Sequence, residues 1–240
     1  MTGHDLGAFY DDAYGHEGEE AGHWEQWRLL NARIKVDKIV RLWRGEPPRT
    51  VCEVGCGDGA VLAELVNVGF GEEFDGFEVS PEAAAIAARN PTFRRIEPYD
   101  GHHLPVGDDT YDLGILSHVL EHVPDPLLLL RETARACERV IVEVPLEDNM
   151  SARRPRKVAE AHRIGHLQRF SRGDMRELAA EAGLRVDGEI VDALTKDHQQ
   201  FLNPGAKGAA KWAVRAGTTR VAPPLARRLF TVHYTALLTH

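Results

Sequence analysis

Two carboxylates stand where a ligand-binding turn would need them. Glu53 lies near the end of a short apolar run, Thr50-Val51-Cys52-Glu53-Val54, and Gly55, Gly57 and Gly59 follow at every second position. Glycines so spaced let the backbone turn sharply and let a ligand lie against bare main chain. The helical pattern behind them, with Val61, Leu62, Leu65 and Val66 on one face, presents its unpaired N–H groups to the same turn. Gly55, Gly57 and Ala60 satisfy the dinucleotide pattern G-x-G-x-x-G/A, so NAD or FAD fits the glycines alone. Glu53 points elsewhere, because an acid there attracts a cationic ligand group and repels a pyrophosphate. Glu78 closes the run Phe74-Asp75-Gly76-Phe77-Glu78, about 20 residues past the turn, where a carboxylate accepts from both hydroxyls of a ribose.

Histidines carry the other chemistry. His118 follows the apolar run Leu113 to Leu116, His122 comes one helical turn later, and His166 sits in a polar connection. Imidazole titrates near neutral pH and takes a proton from a hydroxyl or a protonated amine. His118 is the first candidate base or orienting residue and His166 the second. His122 reads as structural, bonded to a backbone carbonyl. His118-x-x-Glu121-His122 also offers three potential metal ligands, which His162 or His166 could complete. Cys52, Cys56 and Cys137 lack a second C-x-x-C, so they read as reduced thiols, and no metal is assigned.

The elements that position these residues follow from pattern. Residues 1–45 form an N-terminal lid and helical segment. Trp27, Leu30, Ile34, Ile39 and Leu42 set a helical period from about Trp24 to Trp43, and Gly45-Glu46-Pro47-Pro48 ends it. Tyr10, Tyr14 and Trp24 are candidate lid residues. Residues 46–240 form one domain, with acceptor-side insertions at about 147–168 and 196–228. Its strands are Thr50 to Val54, Phe74 to Val79, Phe93 to Ile96, Leu113 to Leu116, Arg139 to Pro145, Leu184 to Leu194 and Phe230 to Leu238. Ser80-Pro81-Glu82 starts a helix as N-cap, first-position proline and first-turn acid. Strands alternating with helices give an α/β architecture, a mostly parallel sheet covered on both faces.

The net charge of −8 divides into −16 over residues 1–150 and +8 over residues 151–240. The basic part complements the acidic part within the molecule or across a homodimer, or it faces an anionic substrate through Arg153, Arg154, Arg156 and Arg163. A net acidic chain without regular aromatic interleaving is a poor polynucleotide binder. The sequence has no basic-then-apolar leader, and no apolar run approaches the ~20 residues of a membrane span. A cytoplasmic protein with no membrane partner is expected.

The form E-x-G-x-G-x-G at Glu53–Gly59, L-P-x-x-D-x-x-Y-D at Leu104–Asp112 and H-V-L-E-H-V-x-D-P at His118–Pro126 resembles class I S-adenosylmethionine (SAM) methyltransferases. The resemblance is to the small-molecule group that includes ubiquinone-biosynthesis and natural-product tailoring enzymes, and it spans about residues 50–195. It implies a Rossmann-like doubly wound seven-stranded sheet of order 3-2-1-4-5-7-6 with strand 7 antiparallel. It implies SAM as cofactor, held by Glu53, Gly55, Gly57, Glu78, Val79 and Ser117, with Asp100 and Gly101 at the adenine. It also implies in-line methyl transfer to an oxygen or nitrogen of a small-molecule acceptor, which the basic residues would suit to an anion. Two alternatives stay open. Small-RNA 2′-O-methyltransferases carry a similar E-x-x-E-H with a later His, and a non-catalytic SAM-binding protein would keep the cofactor residues alone.

Overall fold

The computed structural model describes residues 19–240. Tyr10 and Tyr14 lie outside the described residues, as does the side chain of Trp24. The chain runs α1 (Glu19–Leu42), β1 (Thr50–Val54), α2 (Ala60–Asn67), β2 (Glu73–Glu78), α3 (Pro81–Ala87), β3 (Arg95–Pro98) and β4 (Tyr111–Ser117). A short 3-10 turn (Leu120–His122), α4 (Pro126–Ala136), β5 (Cys137–Leu146), α5 (Pro155–Arg163), α6 (Arg172–Glu181) and β6 (Arg185–Asp192) follow. Three helices, α7 (Lys196–Leu202), α8 (Ala206–Val221) and α9 (Pro223–Leu229), precede β7 (Val232–Thr239).

The strands form one sheet of order β3-β2-β1-β4-β5-β7-β6. β1 pairs in parallel with both β2 and β4, so the order reverses between β1 and β4. β7 is antiparallel to β5 and β6. This is the expected topology. Boundaries moved by one or two residues, and β3 shifts at both ends, lying two positions later than the apolar run Phe93 to Ile96 indicates.

Each central strand feeds two cores because successive side chains point to opposite faces. Val51, Leu113, Ile115 and Ile141 pack with Ile39 and Leu42 of α1 and with Leu62 and Leu65 of α2. Cys52, Val54, Leu116, Val140 and Val142 pack with Leu129 and Leu130 of α4 and with Met175 of α6 on the other face. Burying each large side chain contributes roughly 1.5–3 kcal/mol, which holds α1 and the ends of β1 and β4 in fixed relation. Helix starts obey local chemistry. Ser80 Oγ accepts from Ala83 N, and Ser171 with Asp174 makes a capping box at α6. Among the described residues no helix is long and apolar enough to cross a membrane.

Candidate functional site

A cavity of about 540 Å³ opens at the C-terminal ends of β1 and β4. Glu53, Gly55, Gly57 and Glu78 line one part, and Ser117, His118, His166 and His233 line another. Trp27, Asn31 and Lys35 of α1 wall it.

The glycine turn is left-handed at Gly55 (φ 75°) and Gly57 (φ 55°), a conformation that side chains resist. Gly55 N and Cys56 N both donate to Phe77 O, at 2.7 and 3.2 Å, which pins the turn to the end of β2. A Cβ on Gly55 would come within 2.6 Å of Val119 Cγ2.

Glu53 is 2% exposed, and its Oε2 has no hydrogen-bond partner. Burial pushes its carboxyl up to about 8. Lys35 opposes this rise, while Asp58 and Glu78 add to it. A buried, unsatisfied acid of this kind costs free energy until a cation or donor reaches it. Ser117 Oγ is also buried without a partner. Glu78 is differently placed. Its Oε2 accepts from Gly57 N at 2.7 Å, and its Oε1 accepts from Val79 N at 2.8 Å and Ser80 N at 2.9 Å. The carboxylate therefore braces the turn, and it does so from the cavity lining, within reach of a ligand hydroxyl. Val79, Tyr99 and Gly101 line the cavity. Asp100 does not. It is exposed, and its Oδ1 accepts from His102 N and His103 N at 2.8 and 2.7 Å. These donors hold its carboxyl below the usual range.

His118 directly follows β4 in a left-handed conformation (φ 60°), unusual for a residue with a side chain. Its N donates to Glu143 O, its Nδ1 lies 2.9 Å from Glu121 Oε1, and its Nε2 lies 3.7 Å from Glu143 Oε1. Burial works against protonating this ring. The Glu121 hydrogen bond and charge, helped by Glu143, outweigh burial and raise its pKa. Burial alone would lift the Glu121 carboxyl, but His118 brings it down to about 2. Beneath them Lys38 of α1 and Glu143 of β5 form a buried ion pair. His233 of β7 approaches the same Glu143 oxygen at 3.5 Å, and its ring centre is 5.1 Å from that of His118. Burial pushes His233 down. Although burial would raise Glu143, its histidine and lysine neighbours hold it well below the ordinary carboxylate range.

His122 Nδ1 faces Gly165 O at 3.2 Å and so donates to it, the structural bond expected of it. His166 Nδ1 lies 2.9 Å from Glu147 Oε2. The H-x-x-E-H residues separate into two groups. Glu121, His122 and His166 offer ligand-type atoms within 4.8 Å of one another, and so do His118, Glu143 and His233. His162 is exposed and belongs to neither.

Arg153, Arg154, Arg156 and Arg163 are exposed and do not line the cavity. The lysine there is Lys35, which sequence reasoning missed along with Lys38, Glu143 and His233. Signals for two of them existed. Lys35 falls on the same helical face as Trp27 and Asn31, and Glu143 is a lone acid inside the apolar strand run Val140 to Val144.

A family model described as a methyltransferase domain matches residues 23–189. An uncharacterized methyltransferase of Mycobacterium avium (strain 104) is 36% identical over 105 residues, 42% of this chain and 40% of that protein. The chain thus spans about two fifths of the length of that curated relative. A ubiquinone biosynthesis O-methyltransferase of Hydrogenovibrio crunogenus is 23% identical over 124 residues, 47% of this chain and 50% of that protein. Among solved structures, Haemonchus contortus phosphoethanolamine N-methyltransferase 2 in complex with SAM shares the fold. Its TM-score is 0.67 at 13% identity, covering 96% of this chain and 60% of that one.

Proposed function

This chain belongs to the methyltransferase-domain family, and from that premise we propose that it is a SAM-dependent methyltransferase acting on an oxygen or nitrogen of a small-molecule acceptor. The observation that carries the reading is the buried Glu53 Oε2 without a partner, facing a cavity beside a turn where Gly55 has no room for a Cβ. The residues present suit the cofactor. Glu53 would meet its ammonium, Gly55 and Gly57 would admit it against bare backbone, Glu78 would take the ribose hydroxyls, and Ser117 would donate or accept nearby. Bound there, SAM supplies a methyl carbon made electrophilic by a sulfonium.

The protein then has to align the acceptor and remove its proton. His118 is the proposed base. Glu121 would hold the proton on Nδ1, and Nε2, 3.7 Å from Glu143 Oε1, would be the nitrogen that takes the acceptor's proton. His166, held by Glu147 and packed against the His122 ring, would orient the acceptor. Lys35 would balance an acceptor anion, the role the exposed arginines are badly placed to play. Transfer of labelled methyl from SAM to a panel of phenols, amines and carboxylated analogues of each tests this. SAM binding without turnover on any of them would instead indicate a non-catalytic SAM-binding protein.

The clustering of Glu121, His122 and His166 favours one second reading, metal-assisted 2′-O-methylation of RNA. Metal analysis and turnover after EDTA treatment separate the two. Small-molecule transfer by a histidine base keeps full rate after chelation.

A further inference from the structure

The segment between β6 and β7 turns apolar side chains outward. Val214 and Val221 on α8 are 61% and 84% exposed, and Leu202 of α7 and Leu225 of α9 are about half exposed. The solvent face of α8 carries Ala210, Val214, Gly217 and Val221 as one stripe, at helical steps of four, three and four. Its opposite face holds Arg215, half-buried with its guanidinium 5.0 Å over the Phe230 ring. Half-buried Trp212 and Ala216 share that packed face, so α8 is apolar on its solvent side as well as on its inner one. Gly208 fixes this orientation, because a Cβ there would come 2.1 Å from Asn203 O. Exposed Lys207 and Lys211 border the stripe on one side and Arg220 on the other. Residues 196–229 carry seven Lys/Arg against one acid, in a chain of net charge −8.

A second basic segment joins this face. Met150 N donates to Arg228 O at 2.9 Å, which sets the exposed Met150 beside α9. Residues 151–163 follow with five Lys/Arg against one acid, including the arginines that the cavity does not use. Both segments also reach the cavity rim. Ile164 and Leu202 line it and are themselves exposed.

We propose that this face docks on an anionic lipid bilayer, with Met150, Val214, Val221 and Leu225 entering the headgroup boundary and the surrounding lysines and arginines meeting anionic headgroups. An apolar stripe bordered by cations is the pattern of a helix lying in a membrane interface, and the local charge is opposite to that of an anionic leaflet. A single-stranded nucleic acid would need exposed rings for stacking, whereas Trp212 and Phe230 are half-buried and the outward stripe is aliphatic. The contact is peripheral, with no spanning helix among the described residues, so it departs from the sequence expectation of no membrane partner, and it stands independently of the transfer chemistry.

Cosedimentation of the full chain with phosphatidylcholine vesicles, with and without about a third phosphatidylglycerol, tests it. Binding is expected only to the anionic vesicles and weakens as salt rises. K207Q/K211Q lowers the partition coefficient about thirtyfold, at about fivefold per charge, and V214D/V221D abolishes binding. All four positions are exposed, so circular dichroism should report folded variants. Equal binding to neutral vesicles, no binding to either, or wild-type binding by V214D/V221D overturns the proposal. So does a dimer that V214D/V221D converts to monomer without any vesicle binding, since the stripe would then belong to a second copy.

Discussion

Replacing Glu53 by Gln should weaken the cofactor and strengthen the fold. Burial pushes this carboxyl up to about 8 from an ordinary 4.5. In the unliganded protein at pH 7 it is then roughly nine-tenths protonated. An ammonium requires the charged form, so binding of S-adenosylhomocysteine at pH 7 should release about 0.9 proton, and ionisation costs about 1.4 kcal/mol. Affinity should fall about tenfold per pH unit below pH 7. The same shift bears on stability. A carboxyl raised in the folded state gives a contribution fully present below about pH 4.5 and lost as pH rises toward 8. At pH 7 the loss is at most about 3 kcal/mol. E53Q removes that liability, so the ligand-free variant should melt several degrees higher at pH 7–8 and no higher at pH 4. Calorimetric titration in two buffers of different ionisation enthalpy reads the proton, and a thermal scan reads the stability. A binding heat independent of buffer at pH 7, or E53Q binding as tightly as the wild type, would refute the reasoning.

Four further outcomes follow from the same geometry. G55A forces a methyl into a left-handed turn and against Val119, which costs roughly 1–3 kcal/mol and most of the cofactor affinity, readable by thermal shift and calorimetry. H118A should lower kcat about a hundredfold or more. E121Q removes the support that raises the His118 pKa, so the acid limb of the kcat profile should move to lower pH. K38M leaves the buried Glu143 with only His118 and His233 beside it and should cost up to about 3 kcal/mol in urea unfolding, while K38M/E143L recovers part of it. Since the Glu143 pKa is lowered in the fold, the stability this pairing confers is present above about pH 4.5 and is lost as pH falls through the lowered value.

The glycine turn, Glu53 and Glu78 were legible because their meaning is local. A carboxylate at a strand end beside a bare turn carries its chemistry in a dozen residues. The sheet order came with the resemblance those residues bear. Lys38, Glu143 and His233 were not legible. The lysine and the glutamate are 105 residues apart, and only the β5–β7 pairing, with Pro145 opposite His233, brings the histidine to them. Asp100 shows the opposite failure. Its own neighbours' N–H groups engage it, a local competitor that position alone does not reveal. The arginines of 151–163 read correctly as a basic cluster, but nothing in their spacing says that α5 turns them away from the cavity.

One face of α1 carries Trp27, Asn31 and Lys35 along the cavity, then Lys38 into the buried pair and Ile39 and Leu42 into the core. That makes the helix a crankshaft. A single residue inserted between Trp27 and Lys38 would rotate one half by about 100° against the other. The ligand wall and the charge under the histidines would then lose their phasing together. Substitutions on the outward side, at Arg33 or Asp37, leave that shared timing untouched.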